Sequence, residues 1–201
     1  CCGAIRNEIF RGHQLWSKDL LTTTSFHTEV STVTVLETAK KMIDYSHGNL
    51  HDINHFMKVY AYAKMIADGE QLDPDTQKLV EMTALVHDIA CPLCRVKYGN
   101  TNGKNQEKES AALIAEFFKD SNLPQDFTDR ISFLVSHHHT LDQIDGIDYQ
   151  IIIEADYLVN ADESHFSGHN IKNMYDKIFK TETGKFLLRS MYQNCLENET
   201  L

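Results

Sequence analysis

Four side chains in three separated stretches have types and surroundings that call for a cation. His55, in Asn54-His55-Phe56-Met57-Lys58-Val59, falls on an apolar helical stripe with Val59, Tyr62 and Ile66. Taken alone it is best read as a core histidine bonded to a carbonyl. His87 and Asp88 close the run Leu79-Val80-Glu81-Met82-Thr83-Ala84-Leu85-Val86, which is apolar nearly all round a helical projection and so reads as buried. A helix C-terminus carries partial negative charge, so an imidazole and a carboxylate delivered there form either a hydrogen-bonded end or a grip on a cation. Asp156 shares a face with Ile152 and Val159. An ionised carboxylate on such a face is costly unless it has a cation, a dense set of hydrogen bonds or a raised pKa. Together the four make a mixed nitrogen and oxygen donor set. It leaves positions open on a six-coordinate ion, which suits Mn, Fe, Co, Ni or Mg better than a closed structural zinc.

Helices must position these groups. Thr34-Val35-Leu36-Glu37 has the spacing of a capping box and predicts a helix from there to about Tyr45, ended by Gly48. A second helix is expected from about Leu50 to Asp68. A third opens at Asp73-Pro74 and is stopped by Pro92. Cys91 to Lys104 shows no helical pattern and reads as an irregular loop. Its Cys91-Pro92-Leu93-Cys94 lacks both a second pair for zinc and a βαβ setting, so the thiols read as bystanders, with Cys94 a reactive surface thiol at most. Further helices are expected over Gln106 to Lys119, from Pro124 to the triplet His137-His138-His139, over Tyr149 to Asp162, and in two amphipathic stretches, Asn170 to Phe179 and Thr183 to Cys195. His138 shares the apolar stripe of its helix, whereas dipole complementarity alone would account for His137. No stretch alternates with a period of two, so the fold class is all-α, an irregular helical bundle.

The chain has 201 residues, enough for one sizeable core, and a formal net charge of -10 with no basic run. That argues against a partner that is a nucleic-acid polymer. No run is long and apolar enough for a membrane span. Five cysteines, an odd number in a chain of this length, fit a reduced, cytoplasmic setting. Residues 1–31 lack sustained periodicity and are expected to be poorly structured or loosely packed, with the helical domain spanning 32–201.

The order His, His-Asp, Asp resembles the HD-domain metal-dependent phosphohydrolases. The likeness rests on Asn54-His55-Phe56-Met57-Lys58-Val59, Ala84-Leu85-Val86-His87-Asp88-Ile89 and Glu154-Ala155-Asp156-Tyr157-Leu158, and extends over residues 34–201. It implies an HD-type helical bundle in which His55, His87, Asp88 and Asp156 hold one divalent ion. Two departures stand out. Ala90 occupies the place of the usual Gly after the doublet, and Asn105-Gln106-Glu107-Lys108-Glu109-Ser110 lacks the His that two-metal members carry there. A second metal is therefore not expected unless Glu107 and His138 or His139 supply ligands.

The resemblance also implies a reaction. The ion would acidify a water and polarise a phosphoryl oxygen, so that Asp88 sits at the reacting centre. Lys58, one turn from His55, is the first cation expected to help, ahead of Lys97 and Lys104. His138 or His139 would donate a proton to the leaving oxygen or hydrogen-bond the phosphate. The expected substrate is a nucleotide or another small phosphorylated metabolite. Two other classes fit the same residues: a non-catalytic nucleotide sensor that keeps the metal site, and a di-iron oxygenase.

Overall fold

A computed structural model describes residues 32–197, and among these it contains ten α-helices and no strand. The all-α expectation holds. The expectation for residues 1–31 lies outside the described residues.

Helix α1 (Val35–Tyr45) begins with the capping box read from the sequence: Thr34 Oγ1 accepts from the Glu37 amide (3.2 Å) and Glu37 Oε2 accepts from the Thr34 amide (2.7 Å). Helix α2 (Leu50–Gly69) is capped by Asn49, and α3 (Pro74–Val86) by Asp73 with Pro74 in its first turn. Every residue of α3 from Leu79 to Val86 is buried, as its unbroken apolar character requires.

The stretch expected to be a loop is largely helical. Helix α4 (Cys91–Tyr98) fills most of it, and α5 (Gly103–Phe118) starts three residues before the expected helix. The misreading concerns Pro92. Helix α3 already ends at Val86, a turn over residues 87–90 follows, and Pro92 sits in the first turn of α4, where a missing N–H costs nothing. Gly99, at φ 70°, ends α4 in the left-handed region. Cys94 is correspondingly buried inside α4, which corrects its reading as a surface thiol.

Helices α6 (Gln125–Val135), α7 (Ile147–Glu163), α8 (Gly168–Lys177), α9 (Glu182–Met191) and α10 (Gln193–Glu197) complete the bundle. Helices α2, α3 and α7 pack on one another at its centre. One core joins Val59, Ala63 and Ile66 of α2 to Val80 and Ala84 of α3 and to Ile151, Ala155 and Leu158 of α7. A second joins Met42 and Phe56 to Met82, Leu85 and Val86 and to Ile114, Phe117, Ile131, Leu134 and Tyr149. Burying such side chains contributes about 1.5–3 kcal/mol each. Among the described residues no helix is long and apolar enough to cross a membrane.

Helix α7 is buried almost all round, and its carboxylates have separate destinations. Glu154 faces the start of α9. Its Oε1 accepts from the Lys180 amide (2.6 Å), the Thr181 amide (3.1 Å) and Gln150 Nε2 (2.7 Å), and its Oε2 accepts from the Thr181 hydroxyl. Asp156 faces α2 and the end of α3.

Candidate metal centre

His55, His87, Asp88 and Asp156 meet where α2, the end of α3 and α7 adjoin. His55 Nε2 lies 3.2 Å from His87 Nε2, 3.5 Å from Asp88 Oδ2 and 3.3 Å from Asp156 Oδ1. His87 Nε2 is 3.8 Å from Asp88 Oδ2 and 3.4 Å from Asp156 Oδ1. Donor atoms that surround one ion at about 2.0–2.2 Å have spacings of this kind.

The tautomers are set by the groups behind the rings. His55 donates Nδ1–H to Glu163 Oε2 at 2.8 Å, and His87 donates Nδ1–H to the Ala84 carbonyl at 2.8 Å. A carbonyl or carboxylate oxygen can only accept, so both Nε2 atoms carry lone pairs when the rings are neutral. Two lone pairs then confront each other beside two carboxylates, an arrangement that is stable only around positive charge. His138 repeats the pattern. It donates Nδ1–H to the Val135 carbonyl at 2.7 Å, and its buried Nε2 has no hydrogen-bond partner. That atom lies 3.6 Å from Asp88 Oδ1.

The electrostatics express the same demand. Burial works to neutralise His55, but Asp156, Asp88 and Glu163 outweigh it and raise the imidazole to about 9. Burial works to protonate Asp88, yet His87, His138 and His55 hold it well below the usual carboxylate range. Asp156 is likewise held low by His55 and His87 against its burial. A divalent cation offers these acids the charge that a proton on His55 otherwise supplies, so the residues present fit a metal.

A cavity of about 250 Å³ opens beside this set, lined by His55, Asp88 and Asp156 together with His51, Asp52, Cys91, Arg95, Thr101, Gln106, His139, Asn160, Glu163 and Ser164. His139 therefore borders the cavity, while His138 turns inward to Asp88. Burial opposes charge on His138, but Asp88 overrides it and lifts the imidazole above its ordinary value. His139 is exposed at the cavity edge, yet crowding of its ring by protein and then the neighbouring His138 push it down to about 4. Burial, reinforced by Asp88, pushes the Cys91 thiol up, so it is not a nucleophile here. As they stand, two groups of donor atoms lie close enough together to hold an ion: His55, His87 and Asp88, with Asp156 beside the two imidazoles, and Asp88, His138 and His139.

Lys58 is not among the residues lining the cavity. Its Nζ binds Glu163 Oε1 at 2.9 Å, and its side chain is half exposed. Lys97 is bound to Glu109 at 2.8 Å, and Lys104 is exposed. Arg95 is the cation on the cavity wall, held by Asp52 through paired bonds of 2.5 and 2.6 Å. It escaped the sequence reading because no helical face could be assigned within a presumed loop. Glu163 escaped because the helix expected over Tyr149 to Asp162 stops one residue short of it. Asp156, Asn160 and Glu163 at i, i+4 and i+7 were the available signal. Glu107 accepts from the Thr140 hydroxyl at 2.9 Å.

The HD domain family model matches residues 52–162. No curated protein matches the chain. A crystal structure described as a predicted HD superfamily hydrolase, from an uncultured Thermotogales bacterium, superimposes with a TM-score of 0.57 at 21% identity, over 81% of this chain and 86% of that one. At that identity the similarity bears on the fold.

Proposed function

The chain belongs to the HD domain family, and from that membership and the donor set at its centre we propose that it is a metal-dependent phosphohydrolase acting on a nucleotide or another small phosphorylated metabolite. His55, His87, Asp88 and Asp156 hold one divalent ion, Mn, Fe, Co, Ni or Mg. The observation that carries this reading is the approach of two Nε2 atoms to 3.2 Å with both Nδ1 protons already committed, next to two acids. When bound, the metal supplies Lewis acidity, making water a better nucleophile and drawing charge from a phosphoryl oxygen.

The chain's own groups do the rest. Glu163 and the Ala84 carbonyl fix the tautomers of the two ligand imidazoles. Arg95 offers positive charge at the cavity wall, where phosphoryl transfer gains from charge stabilisation. His139, held neutral, is suited to hydrogen-bond the phosphate. His138 is buried against Asp88 and does not line the cavity, so of the two it is His139 that is placed to meet a substrate. Lys58 acts through Glu163. The net charge of -10 disfavours a polymeric nucleic acid, and a cytoplasmic setting fits the unpaired thiols.

Elemental analysis of the purified protein followed by a phosphate-release screen over nucleotides and sugar phosphates tests the proposal. Metal without phosphate release, but with thermal stabilisation by a nucleotide, would favour a sensor instead. The Asp88, His138 and His139 group supports a second reading with two ions. Two equivalents of iron together with oxygen consumption would move the chain to the di-iron oxygenases.

A further inference from the structure

Arg95 is gripped by an acid on one edge and left open on another. Its Nη1 donates to Asp52 Oδ2 at 2.6 Å and its Nη2 to Asp52 Oδ1 at 2.5 Å, so the carboxylate takes the end of the guanidinium. A guanidinium has five N–H donors in a fixed plane. The Nε–H and the outer N–H of one terminal nitrogen form a second parallel pair along its side, and no group among the described residues engages that pair. Arg95 and Asp52 both line the cavity.

An acid in this wall works against an anionic ligand. Asp52, Asp88, Asp156 and Glu163 line the cavity, and among the described residues Arg95 is the one Lys or Arg that does so. Asp88 and Asp156 belong to the donor set, and Glu163 sets the tautomer of His55. Asp52 by its charge alone repels phosphate. What it supplies is order. The Arg95 side chain is 41% exposed, and unheld it would lose rotamer freedom on gripping a ligand, which weakens binding. The Asp52 side chain is only 10% exposed and stands in the first turn of α2, the helix packed on α3 and α7. We propose that Asp52 is a positioning residue, which holds the end of the Arg95 guanidinium so that the side edge meets the phosphoryl oxygens of the substrate as a fixed fork. This rests on the phosphohydrolase reading above.

The test is a calorimetric titration of inorganic phosphate into protein loaded with Mn²⁺ and freed of excess ion. Arg95→Gln should weaken phosphate binding about 10–100-fold, the weight of hydrogen bonds from a charged donor. Asp52→Ala should weaken it about fivefold, the weight of one side chain left to be ordered by the ligand. Asp52→Asn, which keeps one acceptor oxygen, should fall between Asp52→Ala and the parent. A charge effect has the opposite sign, because removing an acid from the wall tightens the binding of an anion. Tighter or unchanged phosphate binding in both Asp52 variants therefore overturns the proposal. In the Arg95→Gln background, Asp52→Ala should cause no further weakening. A loss that persists there would show that Asp52 acts without Arg95, and would overturn the proposal as well. The phosphate-release screen judges the phosphohydrolase reading separately. If no ester is hydrolysed, that reading fails, and the phosphate titration still decides the matter for Asp52. Where an ester is hydrolysed, Asp52→Ala should raise its KM about fivefold with kcat little changed, and a fall in kcat at unchanged KM would sink the assignment.

Discussion

Glu163 accepts the Nδ1 proton of His55 at 2.8 Å, and its other oxygen holds the ammonium of Lys58 at 2.9 Å. One carboxylate thus links the first imidazole of the metal set to the surface. Groups of this kind orient a ligand ring and raise its basicity, and removing them typically costs about 10–100-fold in metal affinity. Glu163→Ala should show a loss of that size when metal-depleted protein is titrated with Mn²⁺. Lys58→Met should lose much less, because a half-exposed ion pair contributes about 0–1 kcal/mol. Equal losses would mean that Lys58 does more than steady Glu163.

Asp88 is the ligand with the most to lose. Its Oδ2 faces His55 and His87, and its Oδ1 faces His138. Asp88→Ala should abolish both metal retention and turnover. His137→Ala is the matched control. That ring donates to the Phe133 carbonyl at 2.7 Å and stacks on Phe133, with centroids 4.4 Å apart, so its removal should leave metal content intact. Turnover that persists in metal-depleted Asp88→Ala protein would remove the proposed mechanism.

The parts of this arrangement that were legible in the sequence are those with a local signature. His55 and Asp156 were visible as polar groups on helix faces that are otherwise apolar, and His87 and Asp88 as polar groups closing an apolar run. Capping residues Thr34 and Asp73 marked their helix starts by side-chain chemistry alone. What failed was the stretch after Asp88, where Pro92 is compatible both with stopping one helix and with starting the next, and only the tertiary position of α4 chooses. Arg95 was lost with it, and Cys91, read as a bystander thiol, gave no sign that it lines the cavity. Which of His138 and His139 borders the cavity was equally out of reach. Consecutive residues in the turn after α6 diverge by the backbone path, which no periodicity encodes.

Metal binding should be coupled to protons through His55. Its folded pKa of about 9 lies above its ordinary value of 6.5. In metal-free protein the protonated ring therefore contributes stability that is fully present below about pH 6.5 and is lost as pH rises toward 9. A bound cation takes the place of that proton. Thermal melts of metal-free protein should fall in Tm from pH 6.5 to 9, and metal-loaded protein should lack that fall. Calorimetry at pH 7.5 in buffers of different ionisation enthalpy should register close to one proton released per ion bound. Proton release that stays absent at this pH would place the proton elsewhere in the cluster.

Glu154 lies two residues before Asp156 on α7, yet it serves the fold rather than the ion. Four donors converge on its carboxylate, two of them backbone amides at the start of α9 and one the hydroxyl of the capping residue Thr181. Gly184 closes the same contact, because a Cβ there would overlap Glu154 Oε2. Burial nonetheless pushes the Glu154 pKa up, with the Thr181 and Lys180 bonds working against it. Its net titration therefore favours the fold at pH values below the unfolded carboxylate range, and that contribution fades as pH rises through the folded pKa. Glu154→Ala leaves the Lys180 and Thr181 amides and the Gln150 side chain without their shared acceptor and should cost about 1–3 kcal/mol. Gly184→Ala should cost a similar amount by overpacking, about 1–3 kcal/mol. Since both changes break one contact, the double variant should lose less than the sum in denaturant unfolding. All three proteins, while folded, should bind Mn²⁺ as the parent does. Additive losses would show that Gly184 and Glu154 act separately, and weakened Mn²⁺ binding in a folded variant would show that the α7–α9 joint also sets the position of Asp156.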